Sequence, residues 1–123
     1  MKPLHLHCEI YGQRIFFFYE WSPRKFNNYM KKHYKWDKNE VSKSDDAGTW
    51  QMGDPNDGQD DFIVWVRKGA HEPMSCLVHE LIHLKNRIFK HVGHVQDLEN
   101  DETEAYYVQR LYKFVVSNGL EKS

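Results

Sequence analysis

Residues 4 to 10 alternate Leu4, Leu6, Cys8 and Ile10 with His5, His7 and Glu9, the period-two pattern of a strand with one buried face. A turn glycine in "YGQR" follows, and then "IFFFYEW", so the N-terminal region predicts a hairpin of two strands. Ser22 and Pro23 read as the N-cap and first residue of a helix. That helix is expected to run to about Trp36, with Phe26, Tyr29, Met30, His33 and Trp36 on its inner side. Residues 37 to 61 hold eight Asp or Glu against two Lys, with Gly and Pro throughout, and predict mostly loop with a short strand at "TWQM". "DFIVWVRK", residues 61 to 68, is the strongest strand signal, rich in β-branched and aromatic residues.

Pro73 stands near the start of a second helix, expected from about Met74 to Phe89 or Lys90 and stopping before Gly93. Asn100 or Asp101 caps a third, "ETEAYYVQRLYKFVVS", which ends at Asn118-Gly119. Strands first and helices second make an α+β layout. Residues 1–123 are therefore expected to form a single domain, a small twisted β-sheet with three main helices.

A chain of 123 residues is long enough for one core and too short for two. At 40% hydrophobic and 28% charged residues, the composition is that of a folded globular protein. The net charge of −1 excludes a global field that would draw the protein to nucleic acid or anionic lipid. Cys8 and Cys76 are far apart and form no CxxC pair, so no disulfide framework is expected. No apolar run approaches 18 residues and "MKPLHLH" does not look like a leader. A reduced, cytoplasmic protein without membrane contact is the expectation.

Within the second helix, "VHELIH" puts His79, Glu80 and His83 inside the apolar run Leu77, Val78, Leu81, Ile82, Leu84 and Ile88. Imidazoles and a carboxylate in such a setting cost free energy unless they are solvated or paired. Residues four apart on a helix differ by only about 40° around the axis, so His79 and His83 can aim two nitrogens at one point. A tetrahedral zinc ion asks for that arrangement. Glu80, turned about 100° from His79, is badly placed as a ligand but can reach a water on the metal. A shuffled chain of this composition would contain HExxH in roughly 4% of cases, and here the helical context is also present.

A catalytic zinc ion needs a third protein ligand and one open position. "NDETEAYY", residues 100 to 107, offers Glu102, separated from His83 by 18 intervening residues. Ala105 would share its face and is small enough for close approach of the two helices. Glu104 is turned about 200° away from Glu102, so the two cannot both serve. Glu102 is the preferred ligand and Glu104 the second choice. His94, Asp97 and Glu99 fall in the connection between the helices, where side chains are positioned least accurately.

HELIH followed by Glu102 in an E-x-x-A-Y setting resembles the gluzincin-type zincin metallopeptidases, over about residues 60 to 115. It is also similar to short zincin-like domains of phage and mobile elements, in which a DExxAY helix follows HExxH. The resemblance implies a minimal zincin-like fold, zinc held by His79, His83 and Glu102, and hydrolysis of peptide bonds with Glu80 as general base. It also implies a Tyr or His donor to the oxyanion. The candidates are Tyr106, which four residues after Glu102 would point toward the site, and Tyr107, His91 and His94, and the sequence does not choose among them. Many gluzincins carry an acidic residue where this chain has Tyr106. In such enzymes substrate lies along the edge strand before the metal helix, a place that "DFIVWVRKG" would fill unless it is a plain core strand. The alternative to a peptidase is a catalytically silent zincin-like protein that binds metal and recognises a partner.

Other features are less specific. Arg24, Lys25, Lys31, Lys32, Lys35 and Lys38 face only Asp37, with Tyr29, Tyr34 and Trp36 interleaved. That stretch reads either as a solvated helix face or as a nucleic-acid contact. His5, His7 and Glu9 can make a second metal site or simply an exposed polar face. "DPNDGQDD" fails the EF-hand spacing because Gly58 stands at a ligand position, and reads as a turn. Cys76, three before His79, reads more simply as a buried free cysteine than as a ligand.

Overall fold

The computed structural model describes residues 2–8, 12–36, 40–93 and 102–118. Four strands and three helices follow one another as β1 (Leu4–Cys8), β2 (Gln13–Trp21), α1 (Pro23–His33), β3 (Ala47–Gly53), β4 (Asp60–Arg67), α2 (Pro73–His91) and α3 (Glu102–Asn118). The class is α+β, as expected. The helix α1 intervenes between two pairs of strands rather than following them all, and this decides the sheet topology.

The strands form one sheet in the order β1-β2-β4-β3. The outer pairs are antiparallel, and β2 and β4 run parallel at the centre, joined by a connection that contains α1 and β3. Parallel neighbours cannot be joined by a tight turn, so a crossover of this length is required. Because β4 is paired along both edges, its residues 61 to 66 are all buried. "DFIVWVR" is thus a core strand, and the reading of it as a substrate-binding edge is corrected. The free edges belong to β1 and β3.

Alternation along the central strands splits the core into two layers. Ile15 and Phe17 of β2 and Phe62, Val64 and Val66 of β4 pack under Leu77, Leu81, Leu84 and Ile88 of α2 and Leu111 and Val115 of α3. The opposite side chains, Phe18, Ile63 and Trp65, meet Phe26 and Met30 of α1. Each face of the sheet is therefore covered by helix.

Helix α1 starts as expected, with Ser22 Oγ accepting from the Lys25 amide at 3.3 Å and Pro23 in the first turn. It stops at His33, earlier than the apolar spacing suggested. Trp36 still reaches the core, but from the connection after the helix, where its Nε1 donates to Asn27 Oδ1 at 3.0 Å. The same Asn27 oxygen accepts from the Val41 amide, and its Nδ2 donates to the Val41 carbonyl. One side chain on α1 thereby fixes two points of the connection.

Asp61, the second residue of β4 and 2% exposed, is held by two donors. Arg14 Nε lies 2.6 Å from Oδ1 and the Tyr34 hydroxyl 2.7 Å from Oδ2. Arg14 also pairs with Asp57 and Asp54, so "DPNDGQDD" is a turn between β3 and β4 clamped by a guanidinium. That contact raises the Arg14 pKa and lowers that of Asp57. Among the described residues, no helix is long and apolar enough to cross a membrane.

Candidate metal centre

The helix α2 carries the HExxH sequence. Glu72, in the left-handed region at φ 50°, turns the chain into it, and Pro73 occupies its first turn. Gly93 at φ 78° follows its C-terminal end, where a residue with a Cβ would be strained. Leu77, Leu81, Leu84 and Ile88 form the stripe that faces the sheet. The two ionisable residues at its flanks, Glu80 and Lys85, are buried. His79 and His83 lie on the outer face, exposed, with Val78 and Ile82 beside them at 44% and 42% exposure.

The two imidazoles converge. Their Nε2 atoms are 3.1 Å apart and the rings meet edge to face, centroids 4.7 Å apart. Without a metal this contact is a hydrogen bond that needs one ring to donate and the other to accept. Two ligands bound at about 2.1 Å to one tetrahedral ion would be roughly 3.4 Å apart, so little movement separates the two states. The pair fits zinc in donor type and spacing.

Glu80 turns to the sheet side of α2. Thr49 Oγ1 on β3 donates to Glu80 Oε1 at 2.6 Å and lies 3.3 Å from the Glu80 carbonyl oxygen. Thr49 pairs with Val64 across the ladder and shares its face, which is why it looks at α2. Sequence reasoning missed it. The signal was modest: Thr49 stands in "GTWQMG", a stretch read only as a short strand.

Among the described residues, no third ligand is grouped with the histidines, and no three His, Cys, Asp or Glu side chains are grouped so as to hold a metal ion. Glu102 is the first residue of α3 and is exposed. Glu104, the second choice, is buried and accepts from Lys85 Nζ at 2.9 Å. Lys85 lies about 120° and 160° around α2 from His79 and His83, so Glu104 is committed to a different side of the helix. His94, Asp97 and Glu99 lie outside the described residues.

Of the candidate oxyanion donors, Tyr106 is 65% exposed on α3. Tyr107 is in the core against Phe89, which removes it. His91 is eight residues beyond His83, about 12 Å along the axis, and its Nδ1 is 3.2 Å from Gln51 Nε2, which removes it too. Cys76, with its Sγ 3.6 Å from the His71 carbonyl, has a free thiol whose pKa is raised by burial. His5 stacks on Phe16 of the neighbouring strand, centroids 4.4 Å apart, while Glu9 lies outside the described residues. On α1, Arg24, Lys25 and Lys32 are exposed, Lys31 pairs with Glu40, and Lys38 lies outside the described residues.

The chain matches no protein-family model, no curated protein and no solved structure.

Proposed function

We propose that the chain is a zinc-dependent peptidase of zincin-like type. In this reading His79 and His83 supply two zinc ligands and Glu102 the third, Glu80 acts as general base, and Tyr106 serves the oxyanion. The observation that carries the reading is the 3.1 Å approach of two imidazole nitrogens on one helix, with Glu80 between them in sequence. Glu102 and Tyr106 rest on the sequence resemblance alone.

A zinc ion bound there would supply Lewis acidity for a peptide carbonyl and make water more acidic. Glu80 takes a proton from the attacking water as the C–O bond forms, and delivers it to the departing nitrogen as the C–N bond breaks. The products are a carboxylic acid and an amine, and Glu80 returns as a carboxylate. Val78 and Ile82, exposed beside the histidines, offer apolar contact to a side chain of the substrate.

Protein purified without chelator or nickel resin is expected to hold about one zinc per chain by mass spectrometry, and His79→Ala and His83→Ala to hold none. Glu80→Gln should keep the metal and lose cleavage of a peptide library. Cleavage that survives Glu80→Gln removes the proposed base. Bound zinc with no turnover of any peptide would instead favour the silent metal-binding module.

A further inference from the structure

We infer that Thr49, on the edge strand β3, is the positioning residue for the Glu80 carboxylate; this rests on the reading of Glu80 as general base. Glu80 is 7% exposed and joins α2 to the sheet through one short contact, the 2.6 Å hydrogen bond from Thr49 Oγ1 to Oε1. A donor to an ionised acceptor at that length makes a bond about twice as strong as one between neutral groups.

The donor itself is fixed. Its strand is in register with β4 from Ala47 to Gly53, so the Cα of Thr49 is set by ladder bonds on one side. A β-branched side chain is also stiff about χ1. Glutamate, with three side-chain torsions, is the flexible partner. Holding one carboxylate oxygen leaves the plane of the other defined relative to His79 and His83, which ride on the same helix. General-base catalysis depends on such placement, because a proton acceptor misplaced by about an ångström loses much of its effect. The hydroxyl also lies 3.3 Å from the Glu80 carbonyl oxygen, so the same group registers the α2 backbone against β3.

Thr49→Val keeps the shape and removes the donor; Thr49→Ser keeps the donor. With a peptide that the wild type cleaves, Thr49→Val should lower kcat at least tenfold while KM and zinc content stay near those of wild type, and melting temperature should fall by a few degrees because a buried carboxylate loses a donor. Thr49→Ser should return kcat to within about threefold. A second readout needs no metal. In the metal-free protein labelled with 13C at glutamate carboxyls, the resonance missing from Glu80→Gln belongs to Glu80. It should move in Thr49→Val and return in Thr49→Ser.

Full kcat in Thr49→Val, beside an inactive Glu80→Gln, overturns the positioning role and leaves the peptidase reading standing. An unmoved Glu80 resonance overturns it as well. Loss of zinc or of melting temperature in Thr49→Val that Thr49→Ser fails to restore would make Thr49 a structural residue only. Activity retained by Glu80→Gln, or a wild type that cleaves nothing, defeats the peptidase reading and this inference with it.

Discussion

Lys85 Nζ donates to Glu104 Oε1 at 2.9 Å across the contact between α2 and α3, and both side chains are buried. The second carboxylate oxygen, Oε2, is buried and has no hydrogen-bond partner among the described residues. A pair of this kind brings two charges out of water for one good contact. Removing one member strands the other, at about 3–5 kcal/mol, whereas replacing both by apolar groups of similar volume is often neutral or stabilising. Lys85→Met and Glu104→Leu are each expected to lower the free energy of urea unfolding by that amount. The double variant should return to within about 1 kcal/mol of wild type or exceed it. A double variant as unstable as the sum of the two would show that Lys85 and Glu104 are not coupled and would overturn the pairing argument.

Phe26 is the centre of the aromatic layer under α1. It is fully buried and its ring meets Phe18, Trp36, Trp50 and Trp65 with centroids 5.0–5.5 Å apart. Phe26→Ala leaves a cavity among large, rigid rings that cannot collapse into it, and should cost about 3–5 kcal/mol. Phe26→Leu should cost less than half of that. Because Trp36, Trp50 and Trp65 line the same space, the tryptophan emission of Phe26→Ala should also shift to the red under native conditions. Gly48→Ala tests the layer from the other side. Its Cβ would stand 2.3 Å from the Trp50 ring, so that ring must move.

These packing relationships mark what the chain pattern could and could not convey. Strands β2 and β4 and the helix α2 were legible, because each carries a long apolar period with turn or cap residues at its ends. The strand β3 was only half visible, since Gly48 and Gly53 dilute it and it gains its order from pairing with β4. The spacing of Trp36 from Phe26 and Met30 suits a helix, yet Trp36 lies beyond α1 and is held there by Asn27. The histidine pair was legible from its spacing of four. Thr49 was not, because what brings it to Glu80 is the order of strands in the sheet, and neither parallel pairing nor strand order is written in local periodicity. The same holds for Arg14 and Asp61, which are 47 residues apart.

Tyr34 makes the fold sensitive to alkali. Burial first, and then the hydrogen bond to the Asp61 carboxylate, raise its pKa far above the ordinary phenol value. In the unfolded chain the phenol ionises near pH 10, while in the folded chain it keeps its proton. Above pH 10 the unfolded state therefore binds fewer protons, and stability, fully present below that pH, falls as pH rises. Tyr34→Phe should lose about 1–3 kcal/mol at pH 7, because Asp61 loses a donor in a buried site. It should then decline less steeply than wild type between pH 9.5 and about 11 in chemical unfolding series. Some slope should remain, since burial also raises the pKa values of Tyr19 and Tyr29. Equal slopes in the two proteins would mean that Tyr34 ionises freely in the folded state.

Zinc should stabilise the fold through the histidine pair. A ligand that binds only the native state adds RT ln(1 + [L]/Kd), about 2.7 kcal/mol at a hundredfold excess over Kd. For a chain of this size that corresponds to a rise in Tm of about 10 °C. Thermal unfolding followed in buffered free zinc should show the rise, and excess chelator should reverse it. His79→Ala and His83→Ala should each abolish the response, because one imidazole leaves the ion without a chelating partner on α2. Glu80→Gln should keep it, since in this reading Glu80 acts on the water and is not a zinc ligand. The effect of Glu102→Ala then tests the third ligand separately from catalysis: a large loss of the zinc response places Glu102 on the metal, and an unchanged response removes it. A wild type whose Tm ignores zinc would leave the 3.1 Å contact between His79 and His83 as a hydrogen bond on an exposed helix face, with no metal chemistry attached.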